Sequence, residues 1–309
     1  MRSAFIRSLE TACASNPDIL LLTGDLGFAV FDDFRAHYPQ QFLNLGVAEQ
    51  NLAGVGAGMA LAGHTVFTYS IANFPILRCL EQIRNDICYH GADVKIVSVG
   101  GGMSYGALGA SHFATEDLGI MRMLPGMTVV APGDPVEVEA LLPQIVAQKG
   151  PFYLRLGRDG EPRLTPSTAT ITLGVPNTLE AEGEVLILTT GGMLEVGAQV
   201  REMLVGEHGV STALSSVHTL KPLPEAELLG LVEGRRLVVS LEEHSVIGGL
   251  GGALAELFVD RRVASPLLRL GLPSAFPEIV GSQGYLRSAL GLDAPSVAGR
   301  VLSALGEPR

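Results

Sequence analysis

Apolar positions along the chain follow two alternating periods. Residues 19–22 (Ile19, Leu20, Leu21, Leu22) form an unbroken apolar run that ends at Gly24 and Asp25. That is the pattern of a strand buried on both faces and feeding a loop. Before it, Ala4, Leu9, Ala12 and Cys13 recur near helical spacing until Asn16-Pro17, which predicts a helix over 3–14. The alternation then repeats. Helices are expected over 31–38, 48–62, 77–89, 116–124 and 135–148, between strands over 42–45, 65–69, 94–99, 128–131 and 152–155. Such alternation predicts a parallel sheet with helices on both faces. Residues 159–182, rich in Pro, Thr, Gly and Glu, carry no apolar period and are expected to link two domains. Strands over 185–189, 211–215 and 237–241 then alternate with helices over 193–207, 225–232 and 249–259. The fold class is therefore α/β. It has two domains, 1–158 and 183–309, each a mostly parallel sheet covered by helices.

Composition narrows the function. In a chain of 309 residues, 47% are hydrophobic and 17% charged, which suits a large buried core. A formal net charge of -11 argues against nucleic acid as a partner, because phosphate contacts need clustered Lys and Arg. Cys13, Cys79 and Cys88 are too scattered for a disulfide framework or a zinc site. Reduced structural thiols, no signal-peptide pattern and no membrane-length apolar run lead to the expectation of a cytoplasmic protein.

Residues able to do chemistry fall after the strands. In "NLGVAEQN", Glu49 stands between an apolar run and the small-residue run 53–63. A carboxylate in such a crowded place has its neutral form favoured, the setting in which Glu shares a proton; the alternative is a Glu that serves the helix dipole. Asp25 follows the first apolar strand, where parallel sheets bind ligands, and is equally suited to an Asx turn. Tyr69 and Phe74 flank the end of the third strand, and either ring would stack on a flat heterocycle or fill the core. Arg78, Glu81 and Arg84 lie at helical spacing, the pattern of a solvated ion-pair ladder. His112 follows a glycine-dense loop and is suited to donating and accepting a proton, whereas His64 is expected at the surface. The Glu242-Glu243-His244 segment precedes a glycine run that misses the nucleotide fingerprint at Leu254, and is expected to serve domain packing or a subunit contact.

The motifs "NLGVAEQN", "AGVGAGMALAGHTVF", "LEQIRND" and "GASHFATEDLGIMRMLPGMTVVAPGDPVE", in this order over residues 20–156, resemble the pyrimidine-binding half of the thiamine-diphosphate-dependent transketolase family. A looser similarity to the family's C-terminal domain runs from 183 to the end. The resemblance implies that Glu49 hydrogen-bonds the cofactor's aminopyrimidine ring and favours the tautomer that activates the thiazolium carbon. It further implies that Phe74 or Tyr69 stacks on that ring, that Asp25 lies close to the cofactor, that the Arg78 helix lies at a subunit interface, with Arg78 counted among the cofactor-binding candidates, and that His112 faces substrate oxygens. The family's Gly-Asp-Gly motif for diphosphate and metal is missing; Gly24-Asp25-Leu26 and Gly133-Asp134-Pro135 do not continue correctly. The expectation is the C-terminal subunit of a split transketolase. A separate N-terminal subunit would bring the diphosphate site and Mg²⁺ (or Ca²⁺), in an α2β2 heterotetramer acting on small sugar or keto substrates. Leu108 stands where the family carries an acid that reads an acceptor hydroxyl, which points to a modified sugar or a ketone. The rivals are a 2-oxo-acid dehydrogenase β-subunit, a deoxyxylulose-phosphate-synthase-like enzyme, and a non-catalytic partner of a cofactor-bearing subunit.

Overall fold

The computed structural model describes residues 1–27 and 30–306. Positions 307–309 of the second expected domain lie outside the described residues. Six strands make up the parallel part of the first sheet: β1 (Ile19–Thr23), β2 (Phe42–Asn44), β3 (Thr65–Ile71), β4 (Val94–Val99), β5 (Thr128–Val130) and β6 (Phe152–Leu156). The second half of the chain contributes β7 (Asn177–Glu180), β8 (Val185–Thr189), β9 (Thr212–Ser216), β10 (Thr219–Lys221), β11 (Leu237–Ser245) and β12 (Leu267–Leu272). One sheet runs β10-β5-β6-β4-β3-β1-β2 and the other β12-β11-β8-β9-β7. Pairings are parallel except at the edges, where β10 meets β5 and β7 meets β9 antiparallel. No helix of the described residues is long and apolar enough to cross a membrane.

Side-chain parity divides the first sheet. Ile19, Leu21, Phe67 and Val97 face one way, onto Phe5 and Leu9 of the helix Arg2–Ser15 and Leu141 and Ile145 of the helix Pro135–Ala147. Leu22, Val66 and Ile96 face the other way, onto Leu52, Ala53 and Ala57 of the helix Glu49–Leu61. That second cluster continues into the C-terminal half through Leu186, Leu188, Val238 and Leu250, so the two units share one core. The third cluster lies on the far face of the second sheet, where Ile187, Val239 and Leu270 meet Val200 and Val301.

Three expectations change. The helix expected over 77–89 is broken into Phe74–Leu77, Leu80–Gln82 and a π-helical stretch Ile83–Cys88. The wider π-turn still keeps Ile83, Ile87 and Cys88 in the core, which is why the apolar repeat reads as continuous. The segment expected as linker ends in β7, an edge strand whose Asn177, Thr178 and Glu180 give no apolar signal. Likewise, β10 follows β9 in sequence yet crosses back to the first sheet.

Candidate active site

The chain turns from β1 outward to β2 and then back across β1 to β3, so the β1/β3 boundary is where the strand order reverses. Ligands of open parallel sheets bind beyond the strand ends at such a point. The loops after β1, β2 and β3 converge there.

After β2, Gly46 takes a left-handed turn (φ 72) and Glu49 opens the helix Glu49–Leu61. Small residues let this helix lie close to the sheet: a Cβ added at Gly56 would sit 3.0 Å from Thr68 Cγ2. The close approach leaves the Glu49 side chain 4% exposed. After β1, Gly24 is the neighbour of Glu49, with Glu49 Cγ 3.8 Å from a Cβ built there. Asp25 follows in a left-handed conformation (φ 59). Asn44 ties the two loops together. Its Oδ1 accepts from the backbone N–H of Asp25 at 2.9 Å and of Gly46 at 3.0 Å, and its Nδ2 donates to Asp25 Oδ1 at 3.0 Å. Asp25 thus props the turn beside Glu49. Asn44 was missed from the sequence, although a strand-ending Asn before a Gly is an Asx-turn signal.

After β3, Ala72 adopts φ 45 and Asn73 Nδ2 donates to the carbonyl of Phe113 at 3.0 Å. This bond, also missed from the sequence, joins the Phe74 loop to the His112 loop. The Phe74 and His112 rings meet edge-on, 5.0 Å between centres. His112 Nδ1 lies 3.0 Å from Ser111 Oγ. Arg78 closes the row. Its Nη1 donates to Glu49 Oε2 at 3.0 Å, and its guanidinium carbon sits 4.4 Å from the centre of the Phe74 ring. The expected ladder from Arg78 to Glu81 is therefore replaced by an ion pair with Glu49. A buried carboxylate gains more from a cation than a solvated one does.

Tyr69 does not join this row. It packs in the cluster on the other sheet face, edge-on to Phe31 at 4.7 Å and stacked on Phe5 at 6.2 Å. Burial raises its phenol well above the ordinary range. Phe74 is the aromatic that faces Glu49 through Arg78. Cys79, next to Arg78, is buried, and its thiol is pushed up to about 12 by desolvation, with the Glu49 charge adding to it.

The loop that carries His112 is anchored from the C-terminal half. Gly102 and Ala114 exchange backbone hydrogen bonds at its base. Met103 N–H donates to buried Glu243 Oε1 at 2.5 Å, and Glu243 is also held by Gln283 and Arg287. Arg155 donates to the carbonyl oxygens of Ala114 and Glu243 at 2.7 and 3.0 Å and to Asp117 Oδ2 at 2.7 Å. Glu242 caps the helix Leu250–Arg261 by accepting from the N–H groups of Leu250 and Gly251, and burial raises its carboxyl. His244 Nε2 accepts from Gly119 N–H at 3.2 Å. The Glu242–His244 segment thus packs the domains together, as its sequence context implied.

The guanidinium also tests what the row accommodates. A planar, nitrogen-bearing group fits between a buried carboxylate and an aromatic face, with a proton donor turned to the acid. An aminopyrimidine presents the same features. Among the described residues no group of three or more His, Cys, Asp or Glu is arranged to hold a metal ion.

Comparisons with known proteins bear on the family and the fold. A family model described as the transketolase pyrimidine binding domain matches residues 1–161, and one described as the transketolase C-terminal domain matches residues 175–297. The chain is 36% identical to the 6-deoxy-6-sulfo-D-fructose transketolase subunit SqwH of Clostridium sp. (strain MSTE9), over 96% of this chain and 92% of that one. It is 32% identical to an apulose-4-phosphate transketolase subunit of Phocaeicola vulgatus, over 88% and 87%. Its fold superposes on a split gene transketolase solved as an inactive β4 tetramer, with a TM-score of 0.90, 35% identity, and coverage of 100% of this chain and 99% of that one.

Proposed function

The chain belongs to the transketolase family, and from that premise we propose that it is the subunit of a split, thiamine-diphosphate-dependent transketolase that presents Glu49 and Phe74 to the cofactor's pyrimidine ring. The observation that carries this reading is the row Glu49–Arg78–Phe74–His112 at the reversal of strand order. When bound, thiamine diphosphate supplies a nucleophilic carbon that carries a two-carbon ketol (or acyl) unit from a ketose or keto donor to an aldehyde or ketone acceptor.

The residues of this chain divide the remaining work. Glu49, buried at a helix start, would hydrogen-bond a ring nitrogen and favour the tautomer that can act as a base. Phe74 stacks on the ring and excludes water. Asp25, fixed by Asn44, holds the loop against Glu49. His112, whose Nδ1 lies beside Ser111 Oγ, is the residue to face substrate oxygens, where it would donate and accept a proton. Leu108, on the same loop, offers no acceptor for a hydroxyl at that place, which favours a modified sugar or a ketone as acceptor.

A separate subunit, supplying the diphosphate site and Mg²⁺ (or Ca²⁺), completes the enzyme. The relatives' names as subunits support this, and an α2β2 assembly is the arrangement we infer. Relatives named for a sulfo-fructose and a phosphorylated sugar support an anionic sugar as substrate in carbohydrate metabolism. Three buried thiols with no disulfide support a cytoplasmic setting.

The test needs no substrate. Exchange of the thiazolium C2 proton of thiamine diphosphate for deuterium is followed by quenched-flow NMR in the complex of this chain with its diphosphate-binding partner subunit. Glu49→Gln should slow exchange by about a hundredfold or more while folding is kept. An unchanged rate in the variant removes Glu49 from the assignment.

A further inference from the structure

Arg78 makes both of the contacts that a pyrimidine ring would need in this site. Nη1 donates to Glu49 Oε2 at 3.0 Å, and the guanidinium carbon lies 4.4 Å from the centre of the Phe74 ring. A planar group that touches both must lie on the ring face turned toward Glu49. A pyrimidine stacked on that face and bonded to Glu49 would occupy the same volume.

The electrostatics point the same way. A guanidinium only donates, so it holds Glu49 Oε2 as an acceptor. A pyrimidine ring nitrogen that shares a proton with Glu49 needs the same carboxyl position, so guanidinium and ring cannot both hold it. We propose that Arg78 competes with the cofactor's pyrimidine ring for Glu49 and Phe74, and that its withdrawal from the row is a step in cofactor entry. This inference rests on the roles given above to Glu49 and Phe74.

Burial explains why a competitor is useful. An uncompensated carboxylate at 4% exposure is unfavourable, and Arg78 neutralises it until the ring arrives. The Arg78 side chain is itself 48% exposed, so it can turn to solvent without carrying a charge through the core. The backbone is suited to the movement. Arg78 closes the short helix Phe74–Leu77, and Cys79 (φ -115, ψ 9) is outside helical geometry before Leu80–Gln82 begins. The side chain thus springs from a break between two short helices rather than from a continuous one.

The experiment uses the full chain and a probe that needs no diphosphate site, 4-amino-5-hydroxymethyl-2-methylpyrimidine, with affinity measured by NMR titration. Arg78→Ala should bind the probe about tenfold more tightly than the parent chain, because the competing arrangement is removed. Arg78→Lys should fall between them, since an ammonium keeps the charge but lacks the planar fork. Circular dichroism reports folding, and Arg78→Gln, expected to shift affinity in the same direction as Arg78→Ala, carries the test if Arg78→Ala unfolds. Phe74→Ala and Glu49→Gln should each weaken probe binding. Equal or weaker binding after loss of the arginine, with Phe74→Ala and Glu49→Gln still weakening binding, overturns the competition and leaves the pyrimidine site standing. Absence of binding in the parent and all variants overturns both.

Discussion

Glu137 gives the most quantitative test of how the two domains are held together. It lies fully buried in the helix Pro135–Ala147 and reaches across the junction. Its Oε2 accepts from Gly133 N–H at 2.6 Å and from Ser216 Oγ, on β9, at 3.1 Å, and its Oε1 accepts from Asn177 Nδ2, on β7, at 2.8 Å. Those three donors favour the carboxylate, but desolvation outweighs them and raises the carboxyl from 4.5 to about 7. The acid therefore holds its proton more tightly folded than unfolded. Its contribution is fully present below 4.5 and is lost as pH rises toward 7. At about 1.4 kcal/mol per pH unit, the gap corresponds to about 3 kcal/mol of destabilisation on the alkaline side. Glu137→Gln removes the ionisation and keeps the shape. Urea unfolding of parent and variant, followed by circular dichroism near pH 5 and near pH 8, isolates this group because every other titration is common to both chains. The stability of the variant relative to the parent should rise by about 2.5 kcal/mol from the lower pH to the higher. A difference that stays flat across that range would refute the assignment of a protonated Glu137 to the folded junction.

Three further perturbations follow from the same packing. Burial lowers His218 from 6.5 to about 4, so the unfolded chain takes up a proton first as pH falls; stability should drop by about 3 kcal/mol over that window, and His218→Gln should flatten the acid limb of a urea-unfolding series. Gly56→Ala would put a Cβ 3.0 Å from Thr68 Cγ2, so it should cost about 1–3 kcal/mol in urea unfolding and weaken cofactor binding in calorimetry of the assembled enzyme, with Thr68→Ser restoring both. Glu243→Gln leaves Arg287 without its carboxylate and weakens the acceptor for Met103 N–H, so it should cost about 2–4 kcal/mol and speed hydrogen–deuterium exchange across residues 100–114.

Most of the parallel strands were legible because a strand buried on both faces is largely apolar. Val185 to Thr189 is buried at every position and reads directly from its run, as does Val94 to Val99 despite buried Lys95 and Ser98. The antiparallel strands β7 and β10 were not legible, for the complementary reason, and the parallel edge strand β12 was not read either. Asn177 to Glu180 and Thr219 to Lys221 are short and polar, and long-range pairing alone makes them strands. The break at Arg78 was hidden because Leu77, Leu80, Ile83 and Ile87 repeat at helical spacing. A wider turn that keeps the same residues inward leaves no trace in that repeat.

The candidate site was legible as far as loops after strands can be named, and it failed where partners had to be chosen. Helical spacing offered Glu81 to Arg78, but spacing ranks neighbours by proximity along the chain and not by need. Glu81 is exposed, whereas Glu49 is desolvated and 29 residues away, so the cation goes to the acid with more to gain. The choice between Tyr69 and Phe74 turns on parity instead. Successive strand residues point to opposite faces, so Tyr69 shares a face with Phe67, and Phe67 packs on Phe5 beneath the helix Arg2–Ser15. Phe74 lies past the end of β3, where parity no longer applies, and its loop is aimed by Ala72 and by the bond from Asn73 to the Phe113 carbonyl. An aromatic inside a strand is committed by the pleat to one core or the other. An aromatic after the strand end, such as Phe74, is not committed in that way.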